Sequence, residues 1–482
     1  MFTNELIRFT IVWACLILKV IASDKTVCYD EHGCFNATVF DPKLPVLSKI
    51  VSRLPDAPES LKVTFRFFTC GSRYKSNLFN QFVTVKKLKQ KARFNPRLKT
   101  VVLVHGYTDH FNETRWTGQV KNLLLSSCEC SYNIIGVDYP STKYVQDVAN
   151  AQIIGAMIGE LIRKVSKAFK VKIKRFICVG HSLGGQICGF TGKHLKSFAK
   201  LGMILGLDPA GPGFTNVERR SRLDYSDADL VLTIMTNAAK SVTKGYGTSK
   251  PVGHYNFRVN GGSKQPGCEN ASSKRSCAHR RSPELVIDDL TFPNKFTPMA
   301  YRCESYKSFE KGLCTTCKHS LDCQRFGSWF QYWTKQKLDR NFRKPLVYYV
   351  DAREKAPFSL FHYGIVLEID PKSPTFKGKL SMIFYGAYSS RERFVLKNKF
   401  KPNTRSTFLF KTSEFLGRIK KIKIKIYSRS KLITKHHYIR VKQINVRFMN
   451  HQKERKPFNS VLLPERSSKI QSKRFTTFVA ED

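Results

Sequence analysis

"RFICVGHSLGG", residues 175–185, decides the fold. Its apolar start reads as a buried strand, Gly180 breaks it, and small residues lead into a helical stretch. Gly180-His181-Ser182-Leu183-Gly184 fits the pattern G-x-S-x-G. In that pattern the serine occupies a sharp strand-to-helix turn, the glycines let the backbone pack closely, and the hydroxyl projects over the end of a sheet. Three fixed positions are a weak signal alone, but the strand before and the helix after supply the context that the mechanism requires.

Working outward, "KTVVLV" (residues 99–104) is a buried-type strand that ends in His105-Gly106-Tyr107, and "NIIGVDY" (133–139) is a second. Apolar positions recur at helical spacing over residues 144–169, and "GMILGL" (202–207) follows as another strand. Strands alternating with helices predict the α/β class with a mostly parallel central sheet. A serine needs a histidine to take its proton and a carboxylate to orient that histidine, and in this kind of fold the chain order is Ser, acid, His. Asp208 in "LGLDPAGP" stands at the carboxyl end of the next strand, and His279 supplies the base. The backbone N–H groups of Leu183 and of Tyr107 are the expected oxyanion donors, Tyr107 by position only. Taken singly, Asp208 would read equally well as a turn aspartate and His279 as a surface histidine beside Arg280 and Arg281.

The N-terminus has a basic residue, Arg8, a short apolar run, and small residues at Ala22 and Ser23, the layout of a cleaved secretory signal over residues 1–23. Of 14 cysteines, Cys15 falls in that segment, and the others lie at short spacings that suit local disulfides in an oxidising compartment. Spacing pairs Cys28 with Cys34, Cys268 with Cys277, Cys303 with Cys314 and Cys317 with Cys323. Cys70, Cys128, Cys130, Cys178 and Cys188 are left, an odd number that implies a free thiol. Sequons start at Asn36, Asn112 and Asn270. Lysine and arginine number 83 against 36 acids, a net charge of +47, so anionic lipid or sulfated glycan is an expected partner. Nucleic acid is not, because a secreted chain seldom meets it and no binding motif for it is present.

From about Leu346 the segments are short and alternating, as in "GIVLEI", "KLSMIFYGA" and "RIKKIKIKIY", which predicts an antiparallel β-sandwich. The expected division is residues 1–23 signal, 24–343 hydrolase domain, 344–463 sandwich and 464–482 a disordered basic tail, with the boundary in the polar stretch 335–344. In "KIKIKI", Lys421, Lys423 and Lys425 fall on one strand face and the isoleucines on the other, so the lysines form a basic surface.

These stretches, with "VCYDEHGCF", "VHGYTD", "GHSLGG", "GLDPAGPGF", "SRLDYSDADLV", "VGHYNFRVNGGSKQPGC" and "CAHRRS" in order, resemble the pancreatic lipase family over most of residues 28–323. The resemblance implies an α/β-hydrolase domain, a PLAT-like sandwich after Leu346, and Ser182, Asp208 and His279 as the triad of a lipid esterase that needs no cofactor for catalysis. It implies a structural calcium at the carbonyl of Arg222 and the carboxylates of Asp224 and Asp227, but the glutamate expected three residues before Arg222 is Arg219, and a cation there opposes calcium. In this family the disulfide ahead of the catalytic histidine closes a lid, long and amphipathic in triglyceride lipases. Here Cys268 and Cys277 enclose residues 269–276, which are polar, with two cations and a sequon. Such a loop cannot cover an apolar mouth, and this favours phospholipase A1 activity at a membrane or lipid-particle surface. Triglyceride lipase is the alternative, because the loop before "VGHYNF" looks nearly full length. A non-catalytic lipid or glycan binder of the yolk-protein type is the alternative from another class.

Overall fold

The computed structural model describes residues 26–37, 53–126, 130–239, 241, 243–292, 297–330, 342, 344–388, 391–427, 438–450, 458–472 and 474–481. The expected signal segment, Cys128 and most of the stretch 335–344 lie outside the described residues. The chain divides into two compact units, Met1–Val231 with Lys240–Thr243, and Leu232–Ala239 with Lys244–Asp482.

In the first unit, β1 (Thr26–Tyr29) and β2 (Gly33–Asn36) form a hairpin closed by the Cys28–Cys34 disulfide. A sheet follows from β3 (Thr64–Phe68), β4 (Asn77–Asn80), β5 (Lys99–Val104), β6 (Tyr132–Asp138), β7 (Phe176–His181) and β8 (Leu201–Leu207). Its strand order is β8-β7-β5-β6-β3-β4. β5 pairs in parallel with β6 and β7, and β7 with β8, while β3 runs antiparallel to β6 and β4. Every residue of β7 and β8 is buried, which is why these strands read as unbroken apolar runs: both faces are covered, so alternation has no purpose. The long helices of this unit are α1 (Trp116–Ser126), α2 (Tyr144–Phe169) and α3 (Leu183–Leu195). Helix α2 stops where Lys170 turns left-handed at φ 55° and its N–H bonds back to Ser166 O.

The second unit takes up the end of β9 (Ala228–Met235) and the short parallel pair β10 (Ala238–Ala239) and β11 (Gly247–Thr248). β12 (Tyr255–Val259) follows, then helix α4 (Lys274–Thr291), β13 (Met299–Arg302), β14 (Cys323–Arg325) and β15 (Leu346–Val350). β12 pairs in parallel with β9 and β15, and β13 pairs antiparallel with β14 and β15. β15 was expected to open the sandwich, and it belongs instead to this sheet. Its Tyr348 is fully buried, with its ring 5.6 Å from Tyr255 and 5.8 Å from Phe257, so aromatic packing on β12 fixes its place.

The all-antiparallel part therefore starts at β16 (Phe361–Ile369) and continues through β17 (Phe376–Gly386), β18 (Arg391–Phe400), β19 (Arg405–Thr412), β20 (Ile419–Tyr427), β21 (Ile439–Phe448), β22 (Ser460–Pro464), β23 (Lys469–Ile470) and β24 (Thr476–Ala480). The path β18-β17-β20-β24-β22-β21-β16-β19 nearly closes on itself: Phe394 of β18 stacks on Phe408 of β19 at 5.4 Å, and Asn398 Nδ2 donates to Ser406 Oγ at 2.7 Å. One core fills it, with Tyr363, Phe384, Ile422, Ile424 and Phe478 at no exposure. Tyr301 Oη donates to Met449 O, and Lys411 Nζ to Asp351 Oδ2, each at 2.7 Å, which ties this sheet to β13 and to the chain leaving β15.

Six disulfides lie among the described residues: the four paired by spacing, plus Cys70–Cys130 and Cys178–Cys188. Of Cys70, Cys128, Cys130, Cys178 and Cys188, among which a free thiol was expected, the four described ones are paired, and Cys128 lies outside the described residues. No helix of the described residues is long and apolar enough to cross a membrane.

Residues 464–482, expected to be a disordered tail, instead carry β23 and β24, and β24 lies between β20 and β22 in the sheet. The composition is misleading because the basic residues dominate it, while β24 turns only Thr476 and Phe478 inward. Phe478→Ala should cost about 3 to 5 kcal/mol of stability, and truncation after Pro464 should unfold the C-terminal sheet. Urea unfolding followed by circular dichroism checks both, and a neutral result would mean that β24 is dispensable.

Candidate active site

Between β7 and α3 the chain turns so tightly that Ser182 adopts φ 55° and ψ −118°. That is a left-handed, sparsely populated conformation for a residue with a Cβ. The glycines around it are there for space: a Cβ on Gly180 would stand 2.1 Å from Gly184 O, and one on Gly184 would stand 2.2 Å from Val104 O. Backbone bonds hold the turn from both sides. Ser182 N–H donates to Leu207 O, and Ala210 N–H donates to Ser182 O, each at 3.0 Å. The Cys178–Cys188 disulfide links β7 to α3 across the same turn. Ser182 is half-buried and starts the helix whose first residue is Leu183.

Asp208 follows β8 directly, is 1% exposed, and is itself left-handed at φ 44°. The bonds from Ser182 and Ala210 place this residue's loop against the serine turn, so Ser182 and Asp208 share one edge of the sheet.

The loop after β5 lies against the turn as well, since a Cβ on Gly106 would meet Ser182 Cβ at 3.0 Å. His105 fixes this loop. Its ring is buried, stacks on Tyr139 at 4.1 Å, stands 3.3 Å from Asp138 Oδ1 through Nε2, and lies 2.8 Å from Gly106 O through Nδ1. Tyr139 Oη donates to His105 O at 2.9 Å. Burial opposes the charge on Asp138, but the hydrogen bonds from His105 and the Phe111 N–H hold its carboxyl below the usual range. Tyr107 packs its ring edge-on to Tyr144 at 5.1 Å. His105 stood in the "HGY" stretch, but nothing in the sequence marked its side chain as the loop's anchor.

His279 is held in the second unit, in the second turn of α4, and is 8% exposed. The disulfide loop is shorter than residues 269–276: Ser273 caps α4, accepting from Ser276 N–H at 3.3 Å, and the helix begins at Lys274. Cys277 therefore lies on the helix, and its bond to Cys268 pins the helix start to a fixed segment. Cys268 N–H donates to Gln265 O, and the buried Gln265 amide donates to Thr236 O at 3.0 Å and to Val259 O at 2.8 Å. Arg281 is 4% exposed; it donates to Pro266 O, Arg353 O and Glu284 and stacks on Phe358 at 4.4 Å. The staple thus serves to orient a histidine on a helix. Tyr246 packs edge-on to His279 at 5.6 Å, and Arg275 covers the Tyr246 ring at 5.0 Å.

Arg222, Asp224 and Asp227 do come together in the first unit, but the carboxylates face cations of the chain. Lys193 Nζ donates to both Asp227 oxygens at 2.6 Å, and Asp224 Oδ2 stands 3.6 Å from Arg222 and 3.8 Å from Arg219. Burial pushes the Asp227 carboxyl up to about 6 and the Lys193 ammonium down, their mutual attraction opposing both shifts. This donor set does not fit a divalent cation.

The family model described as Lipase matches residues 25–358. "Inactive pancreatic lipase-related protein 1" of Canis lupus familiaris is 27% identical, with 86% of this chain and 89% of that protein covered. "Pancreatic triacylglycerol lipase" of Mus musculus is 26% identical, over 86% and 90%. "Pancreatic lipase-related protein 2" of Homo sapiens is 27% identical, over 85% and 88%. With more than half its length matched, the chain belongs to the pancreatic lipase family.

Proposed function

We propose that this chain is a secreted serine carboxylester hydrolase acting on lipid. The observation that carries the reading is the strained Ser182 turn: a left-handed serine costs on the order of 1 to 3 kcal/mol and persists where the surroundings enforce it for a purpose. Ser182 Oγ attacks the ester carbonyl while His279 takes its proton, and Asp208 orients the imidazole and stabilises its charged form. The N–H groups of Leu183 and Tyr107 receive the oxyanion. His279 then returns the proton to the departing alcohol, and water, activated by the same histidine, releases the fatty acid from Ser182.

Phospholipid is the favoured substrate. The segment between Cys268 and α4 has no large apolar side chain to shield an oily substrate, and Arg275 stands over Tyr246 beside His279, where a guanidinium can pair with a phosphate. Triglyceride hydrolysis is the second reading, favoured by the relative named a triacylglycerol lipase. The C-terminal sheet takes the part of a PLAT-like lipid-contact domain. On it Lys421, Lys423 and Lys425 share the face of Tyr385 and Tyr427, and Lys377 and Lys379 stand in register with Lys399 and Lys397. Like charges directly opposite are unfavourable unless an anion lies over them, which suits anionic lipid or a sulfated glycan. The disulfides suit an extracellular setting.

Ser182→Ala should lower esterase turnover by about 10⁴-fold or more with the fold intact. Ser182→Gly should do the same and, by relieving the left-handed strain, raise stability by about 1 kcal/mol. Labelling with a fluorophosphonate and urea unfolding read the two effects. An unlabelled wild type would favour a non-catalytic binder; one relative is named inactive.

Fatty acid release from phosphatidylcholine or phosphatidylserine vesicles should exceed release from triolein. Ready cleavage of triolein with none of phospholipid would leave the triad standing and remove the lid argument. Retention on anionic vesicles or heparin should fall steeply with salt, and salt-insensitive retention would count against the basic face.

A further inference from the structure

The family's calcium loop is where this chain departs most from what its motif implies. The segment from Glu218 to Asp227 packs on α3: the buried amide of Gln186 accepts from Leu223 N–H at 2.7 Å and donates to Ala210 O at 2.8 Å. Within the segment, Asp224 N–H donates to Asp227 Oδ2 at 2.8 Å and Ser226 N–H to Asp224 Oδ1 at 3.1 Å, so both carboxylates organise backbone. Asp224 and Asp227 are buried, with side chains 3% and 4% exposed. Two buried carboxylates this close need positive charge.

We propose that Lys193, from the last turn of α3, is a built-in cation that does the work of a divalent ion at this loop, so that the protein folds and keeps its active-site scaffold without calcium. Its ammonium reaches both oxygens of Asp227 at 2.6 Å from a side chain 22% exposed, while Arg222, 5% exposed, and Arg219 neutralise Asp224. Three cations thus meet two carboxylates, and a calcium ion entering there would face a net positive surround and would have to displace Lys193 from both oxygens of its partner. The glutamate that would have completed an oxygen cage is replaced by Arg219, so the same positions have changed from metal ligands to counter-ions. The tie also matters to the scaffold, since α3 begins at the Ser182 turn and is fastened at its far end through Lys193. The inference stands whether or not the chain is an enzyme.

Thermal unfolding of the full-length protein in EDTA and in about 5 mM calcium should give the same midpoint within about 1 °C, and titration calorimetry with calcium should show no stoichiometric heat. A midpoint several degrees higher in calcium, or one calcium bound per chain at sub-millimolar concentration, overturns the proposal. Lys193→Met should lower the midpoint in EDTA by about 5 °C or more, because it strands a buried carboxylate. Lys193→Arg, which keeps the charge, should recover a good part of that loss. If Lys193→Met melts like the wild type in EDTA, Lys193 is not the holding cation and the proposal fails.

Discussion

Ser182 holds its left-handed conformation because its N–H is bonded to Leu207 O at the end of β8 and its C=O to Ala210 N–H in the loop that follows, at 3.0 Å each. Those bonds require β7 and β8 to be parallel and in register, with His181 opposite Leu207, so that both chains leave the sheet at the same edge. β5 is locked to β7 with Val104 opposite Gly180, which brings the loop containing His105 and Gly106 to that edge as well. One backbone constraint therefore places Ser182, Asp208 and the loop of His105 and Gly106 together. Side chains are added to a geometry that parallel pairing has already set.

The parts of this arrangement legible in the sequence were the local ones. Gly180 and Gly184 announce a turn because no other residue fits between their neighbours, and chain order singles out Asp208 after the next strand. Disulfides of separation 6, 9 and 11 were readable from spacing. Cys70–Cys130, at separation 60, was not, because contact between β3's end and the start of β6 is a product of the sheet. His105, Gln186 and Arg281 escaped for a related reason. Each is an ordinary polar residue until tertiary packing buries it among carbonyls that need donors or amides that need acceptors.

Pattern and composition misled in two places where burial was decided by a neighbour. β15 alternates no better than a sandwich strand, and only its pairing with β12 and β13 shows its allegiance. The basic residues after Pro464 suggested solvent, yet Phe478 at no exposure carries β24 into the middle of a sheet. A strand inserted between two others gains all its backbone bonds at once, so a single buried aromatic suffices where an edge strand would need more.

The charge of the chain has a structural division of labour. Of the few acids, many are buried and spoken for: Asp147 accepts from Thr142, Glu160 from Arg163, Asp227 from Lys193, Asp288 from the Phe358 N–H and Asp351 from Lys411. Each neutralises or organises something inside, and the pairs with Arg163, Lys193 and Lys411 cancel locally, so the net charge of +47 is carried by the other cations of the chain. The proposed attraction to an anionic interface then rests on the net charge of the chain, with the β17, β18 and β20 lysines as one cluster of it. Removing one of them leaves most of the field in place, and one acid added opposite two of them weakens the local field but leaves it positive.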